Sequence, residues 1–328
     1  MSWPAAVGRG RAWAHRVYGV YRVYRAYRAC WAGLLLAVSV SAAPAAVHVV
    51  APGQSLALAL QAAVDGDEIH LLAGEHHGQV GVVHQRRLTL RGVGGRTVLN
   101  AAGAHAEGKA ILVVRQGDVI VEDLEFRGAR VPDQNGAGIR FERGRLWVRR
   151  CTFIDNENGI LTANFGDAEL TVESSRFSDA PTTSRLPHLL YVGAIARFSL
   201  SDSHLSQGRQ AHLVKSRARE NQVRNNQLVD GVGGSAAYEL EFPNGGVAHV
   251  VGNTIEQAAD TSNLSMLAFG AEGDVDGRVH LLHVENNTFI NRARLPAIFV
   301  RVHEAKLKSP VGRRMLNNKF VGLGANEF

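Results

Sequence analysis

Three five-residue segments, HLLYV (188–192), HLVKS (212–216) and YELEF (238–242), put Tyr191, Lys215 and Glu241 at one shared position. A phenol, an amine and a carboxylate at equivalent sites of successive segments are groups from which proton transfer at a charged substrate can be built. Just past the same segments come Arg217, Arg219 and Asn244, donors suited to carboxylates and hydroxyls. His188 and His212 open two of the segments, and imidazole is the side chain most readily poised as a base near neutral pH. The candidate catalytic residues are therefore Lys215, Tyr191, His212 and Glu241, with Arg217, Arg219, His188, Glu239, Asn244 and Arg301 as candidate substrate contacts. A face that carries Tyr, Lys and Glu suits a polyuronate, with Arg217 and Arg219 as carboxylate clamp. Glu239 and Glu241, spaced i, i+2 and about 7 Å apart on one face, offer glycoside hydrolysis as an alternative. A third reading is a non-catalytic scaffold that binds cell-envelope glycan.

These groups act together only if the segments stack. Adding SMLAF (265–269) and IFVRV (298–302), apolar alternation sends Leu190, Val214, Leu240, Leu267 and Val300 into a core, with Val192, Ser216, Phe242, Phe269 and Val302 beside them. Strict period-2 geometry then predicts two outward columns. One is Leu189, Leu213, Glu239, Met266 and Phe299; the other is Tyr191, Lys215, Glu241, Ala268 and Arg301. The bland alternative is an ion-pair ladder of Lys215 over Glu241, worth about 0.2–1 kcal/mol per pair.

A longer-range pattern explains why they would stack. From residue 121 one motif recurs eight times: an aliphatic residue, a middle residue three positions on, and an apolar residue two further. It runs from Val121/Leu124/Phe126 and Val148/Cys151/Phe153 to Val284/Asn287/Phe289 and Met315/Asn318/Phe320, in steps of 23 to 34 residues. Its units are short alternating strands broken by Gly, Asn and Asp, which cannot form a sheet within one unit, so each coil must pair with the coils above and below. Asn226, Asn253, Asn287 and Asn318, at the middle position, are predicted to point inward at sharp turns and bond from coil to coil. Upstream, Ser55 is placed to cap a short amphipathic helix that covers the open end, and Asp65-Gly66-Asp67 turns into a strand from Glu68 to Leu72.

This pattern resembles the parallel β-helix of the pectate-lyase-like superfamily, over roughly residues 47–325. The fold class expected is all-β: a single-stranded right-handed parallel β-helix with a short N-terminal capping helix, as one domain spanning residues 46–328. The handedness is implied by the resemblance. A narrower likeness lies in HLVKSRARENQVRNNQLVDG (212–231), which resembles the coil of the chondroitinase B and alginate lyase family that carries the catalytic lysine in V-K-S. Lys215 matches that lysine, which in the family removes the proton α to a uronate carboxylate. The resemblance thus implies a lyase or C5-epimerase acting on a uronate-containing polysaccharide by proton abstraction, with Lys215 as base or charge neutraliser and Tyr191 or His212 as proton partner. The chain departs from the family twice: Glu241 stands where the next coil has an arginine, and Ser206–Ala211 lacks the acidic calcium ligands before the lysine. A lysine beside Glu241 would keep a high pKa, leaving part of the mechanism to Arg217, Tyr191 or a histidine.

Residues 1–45 read as a signal peptide: six arginines without an acidic residue, an apolar run from Cys30 to Ala42, then Ala43-Pro44-Ala45. The run is too short to span a bilayer, so export to the periplasm or medium is expected, without stable membrane insertion. Of 36 basic residues 30 remain after the leader, balancing 30 acidic ones, so nucleic acid is not an expected partner. The partner expected is an acidic polysaccharide and the protein a monomer. Cys151 alone follows the leader and reads as a core thiol. No cofactor or metal ligand is expected. Calcium at Glu272, Asp274 and Asp276 in FGAEGDVDGR (269–278) is outweighed by a solvated turn, and this loop and HEAKLKSPVGRR (303–314) are expected near the candidate face.

Overall fold

The computed structural model describes residues 45–328 apart from Val275. The signal peptide expected over residues 1–45 therefore lies, but for Ala45, outside the described residues. From Val47 the chain winds into a parallel β-solenoid whose coils pair only with their neighbours. One wall is a ten-stranded parallel sheet running from Gly81–Val83 to Gly324–Glu327, and it contains the HLLYV, HLVKS and YELEF segments. The other strands form two stacks fused through the long strands Glu68–His77 and Arg87–Asn100.

The repeat motif marks the corner between those two stacks. In all eight units the residue before the middle position has a positive φ, from 49° at Ser174 to 73° at Gly252. Seven of these residues are not glycine, and Asp and Asn predominate because a short polar side chain tolerates the left-handed region. The turn aims the middle side chain inward, where it finishes the hydrogen bonding of the coil before it. The Asn253 Oδ1 accepts from both the backbone N–H and the Nδ2 of Asn226, at 2.8 and 3.0 Å. Asn287 does the same for Asn253, and Asn318 for Asn287. Each Nδ2 of this set also donates to a backbone carbonyl of the preceding coil, Val223 O in the case of Asn253. Ser175 and Ser203 continue the ladder through their hydroxyls, which accept from Cys151 N and Ser175 N.

Past the turn, Phe126, Phe153 and Phe177 stack face to face in the core, their centroids 5.1 and 4.5 Å apart. Cys151 is buried and free, and burial pushes its thiol up to about 12. At the N-terminal end, the expected helix forms over Leu56–Ala62, with Ser55 Oγ accepting from Leu58 N. Its Leu56 and Leu60 are buried over Gly81, where any side chain would collide with Leu60. Among the described residues no helix is long and apolar enough to cross a membrane.

The Asn ladder generates a stability prediction. Asn253→Ala strands donors and acceptors on two coils and should cost about 2–3 kcal/mol. Asn318→Ala, at the end of the ladder, should cost less. Urea unfolding of the two variants checks the order, and equal losses would mean that the ladder is not what holds the turns.

Candidate functional site

The predicted stacking of Tyr191, Lys215 and Glu241 is what the structure shows. Tyr191 pairs with Lys215, Lys215 with Glu241, Glu241 with Ala268, and Ala268 with Arg301. The same column continues upstream through Leu161 to Arg140.

The other predicted outward column is buried: Leu189, Leu213, Glu239, Met266 and Phe299 all lie in the interior. The reason is a corner. At the start of each segment the chain is still bending, so its second and third residues both point inward. A Cβ at Gly159, which precedes Leu189 in this column, would meet the Phe177 ring, and Phe299 packs on Phe289 and Phe320. Glu239 is thus a core carboxylate, flanked along its column by Leu213 and Met266, and not a substrate contact. Glu239 and Glu241 share no face, which removes the proposed pair for hydrolysis. Neither Glu239 oxygen has a hydrogen-bond partner among the described residues; burial, and secondarily Asp230, raises its pKa well above 4.5.

Around Lys215 the side chains converge. Its Nζ lies 2.8 Å from Glu272 Oε1 and 3.2 Å from Glu241 Oε2. Arg217 reaches the other oxygen of Glu272 at 2.7 Å, and donates to the Tyr191 hydroxyl at 3.1 Å and to Asn244 Oδ1 at 2.8 Å. Burial works against the charge of Lys215, but Glu272 and Glu241 outweigh it and raise its pKa. Burial likewise opposes ionisation of Glu272, yet Arg217 and Lys215 bring its pKa down to about 2. For Glu241 the nearness of His212 and Lys215 outweighs burial and holds its carboxyl below the usual range.

His188, His212 and Tyr238 form a stack of parallel rings at 4.9 and 5.0 Å, with Tyr191 against His188. Burial lowers both histidines, His188 to about 3, so both rings are neutral near pH 7. The His188 Nδ1 is hydrogen-bonded to Leu186 O. His212 Nε2 is 3.0 Å from Glu241 Oε2 but out of line for a hydrogen bond.

Two predicted substrate contacts fall outside this cluster: Arg219 pairs with Asp276, and Arg301 with Glu327. The loop carboxylates Asp274 and Asp276 have separate partners, His280 and Lys308 for Asp274, and Arg278 and Arg219 for Asp276. Among the described residues no three His, Cys, Asp or Glu side chains come together as a metal site.

Sequence reasoning missed a groove of about 730 Å³ beside the cluster, lined by Arg140, Asn158, Asn164, Arg185, His188 and Tyr191. Arg185 lies on a loop tied through its backbone N–H to Gln134 of another. Asn158 is buried, with its Oδ1 unpartnered among the described residues. One signal was available: AGIRF (137–141) and NGILT (158–162) have the length and pattern of HLVKS, and extending the alignment upstream places Arg140 in the Lys215 column.

Two of the solved structures that resemble this one are alginate lyase structures. One is a PL6 family alginate lyase, AlyGC: TM-score 0.56, 15% identity, 84% of this chain and 40% of the other. The second is an arginine-to-alanine variant of AlyGC, with TM-score 0.55, 18% identity, and coverage of 85% and 41%. The shared feature is the parallel β-helix. The chain spans less than half the length of these enzymes, and the likeness bears out the expected fold. No protein-family profile matches the chain, and no curated protein does.

The buried Glu239 sets a pH dependence. Its folded pKa exceeds the unfolded one, so below about pH 4.5 both states are protonated, and as pH rises only the unfolded state readily releases the proton. Stability is therefore lost with rising pH. Glu239→Gln should change Tm little near pH 4 and raise it at pH 8; a gap independent of pH would show that folding does not shift the Glu239 pKa, and a Tm lowered at pH 8 that Glu239 is ionised and paired.

Proposed function

We propose that this chain is a polysaccharide lyase-like β-helix acting on a uronate-containing polysaccharide. The observation that carries the reading is the convergence of Lys215 and Arg217 on a single carboxylate, with the Tyr191 hydroxyl held on Arg217. A uronate carboxylate in that place would have its charge neutralised, which stabilises the carbanion-like state formed when the proton on the adjacent carbon leaves. Lys215, held charged by its two carboxylate neighbours, acts as neutraliser; neutral His212 takes the proton, and the Tyr191 hydroxyl donates one to the departing oxygen. The electron pair then forms a C4–C5 double bond as the C4–O bond breaks, or the carbon is reprotonated from the other face to give the epimer. Arg140 and Arg185 supply positive charge along the groove for flanking acidic sugars. The leader-like residues 1–45 fit export to where such polymers are met, and the alginate lyase activity of the structural neighbours supports the substrate class.

A second reading, glycan binding without catalysis, is favoured by one observation: Lys215 lies between two carboxylates and is a poor base.

Incubation with alginate, pectate, chondroitin and hyaluronan should yield ultraviolet absorbance of an unsaturated uronate on at least one polymer. Arg217→Ala and Lys215→Ala should lower kcat/KM on the order of 10²-fold. New reducing ends without unsaturation would sink the elimination, and tight binding with neither new ends nor epimerised uronate would select the second reading.

A further inference from the structure

The carboxylate that Lys215 and Arg217 hold belongs to the protein itself. Glu272 and Glu241 both touch Lys215, yet they differ in kind. Glu241 is on a strand, in register with Lys215 and buried. Glu272 is on the loop after Phe269, its side chain 43% exposed, and it reaches back over the site. It bridges the two cations with one oxygen each, as an ionised ligand would.

We propose that Glu272 is an internal occupant of the uronate site: its carboxylate fills the place of the substrate carboxylate and is displaced when an acidic sugar binds. This rests on the function proposed above.

Three features support the exchange. The backbone on both sides is pinned, with Glu272 N donating to Pro243 O, Asn244 Nδ2 to Gly273 O and Lys306 Nζ to Ala271 O. Vacating the site thus needs only rotation of the exposed Glu272 side chain, a fast event that leaves the loop in place. Charge gives the second support. Lys215 and Arg217 balance Glu241 and Glu272, while His212 is neutral. Rotating Glu272 away leaves one net positive charge, which an incoming carboxylate restores to balance. Third, Tyr191 and Asn244 hold the Arg217 guanidinium through contacts that do not involve Glu272, so the binding fork outlasts the exchange. Glu272 then acts as a specificity filter. A neutral sugar cannot replace the two charge-assisted contacts it would break, whereas a uronate can.

The test is binding of sodium glucuronate, with glucose as the neutral control, followed by NMR titration of the purified protein. Removing an internal competitor raises apparent affinity by the inverse of the fraction of sites it leaves open. Glu272→Ala and Glu272→Gln should each bind glucuronate roughly tenfold more tightly or better, with glucose unchanged. The gain should vanish in Glu272→Ala/Arg217→Ala. No gain in either folded variant, including no detectable glucuronate binding, overturns the proposal. The two readings fail separately. Polymer cleaved or bound by the unsubstituted protein, with no gain on removing Glu272, leaves the function and removes the occupant. A gain for glucuronate without action on any polymer leaves the occupant and removes the lyase.

Discussion

The turn between the two fused stacks is the constraint on which the rest of the molecule depends. Eight times the chain takes a left-handed residue and then turns a middle side chain inward. In the second half an asparagine oxygen receives two bonds from the coil before it, and its amide returns one to a backbone carbonyl there. A corner in a buried chain leaves peptide groups that no sheet can pair, and leaving them unmet would cost free energy at every coil. Meeting them from the adjacent coil does more than satisfy them: it sets the vertical alignment of coils. That alignment carries around the coil to the ten-stranded sheet, where Lys215 lies beside Tyr191 and Glu241.

The site is built from departures from this regularity. The scaffold needs apolar residues in its interior columns, and Glu239 violates that need, standing between Leu213 and Met266 with no hydrogen-bond partner among the described residues. The outer face needs only solubility, yet it gathers two cations, two carboxylates, a phenol and neutral imidazoles around Lys215. The electrostatics there are decided by pairing more than by burial. Lys215 and Arg217 are raised and Glu272 is lowered although burial opposes the charge of each. The histidines, with weaker partners, go the other way and stay neutral.

Much of this was legible in the residues. The spacing of Asn226, Asn253, Asn287 and Asn318 foretold the ladder, and the apolar alternation foretold the column from Tyr191 to Arg301. The capping helix followed from Ser55 and the apolar residues after it. What misled was the assumption of strict alternation, which fails where a short strand leaves a corner with two consecutive side chains inside. Leu189, Leu213 and Met266 were signs of that corner, since three large apolar residues at one position are better explained by a core than by solvent. Arg219 was placed near the site by sequence distance and Arg301 by its row, and each is taken by a closer carboxylate.

By itself the sequence determined the coil, its turn, its cap and which residues share a row, because these follow from local periodicity and from pairing between successive repeats. Tertiary structure decided which groups meet across rows. Glu272 lies 57 residues from Lys215, on a loop whose path no periodicity describes, and only the folded loop brings its carboxylate between Lys215 and Arg217. The groove lined by Arg140 and Arg185 likewise exists only where loops from different coils fold against one another. Repetition is written into the chain by spacing; the contacts of its interruptions depend on the shape the repeats have already made.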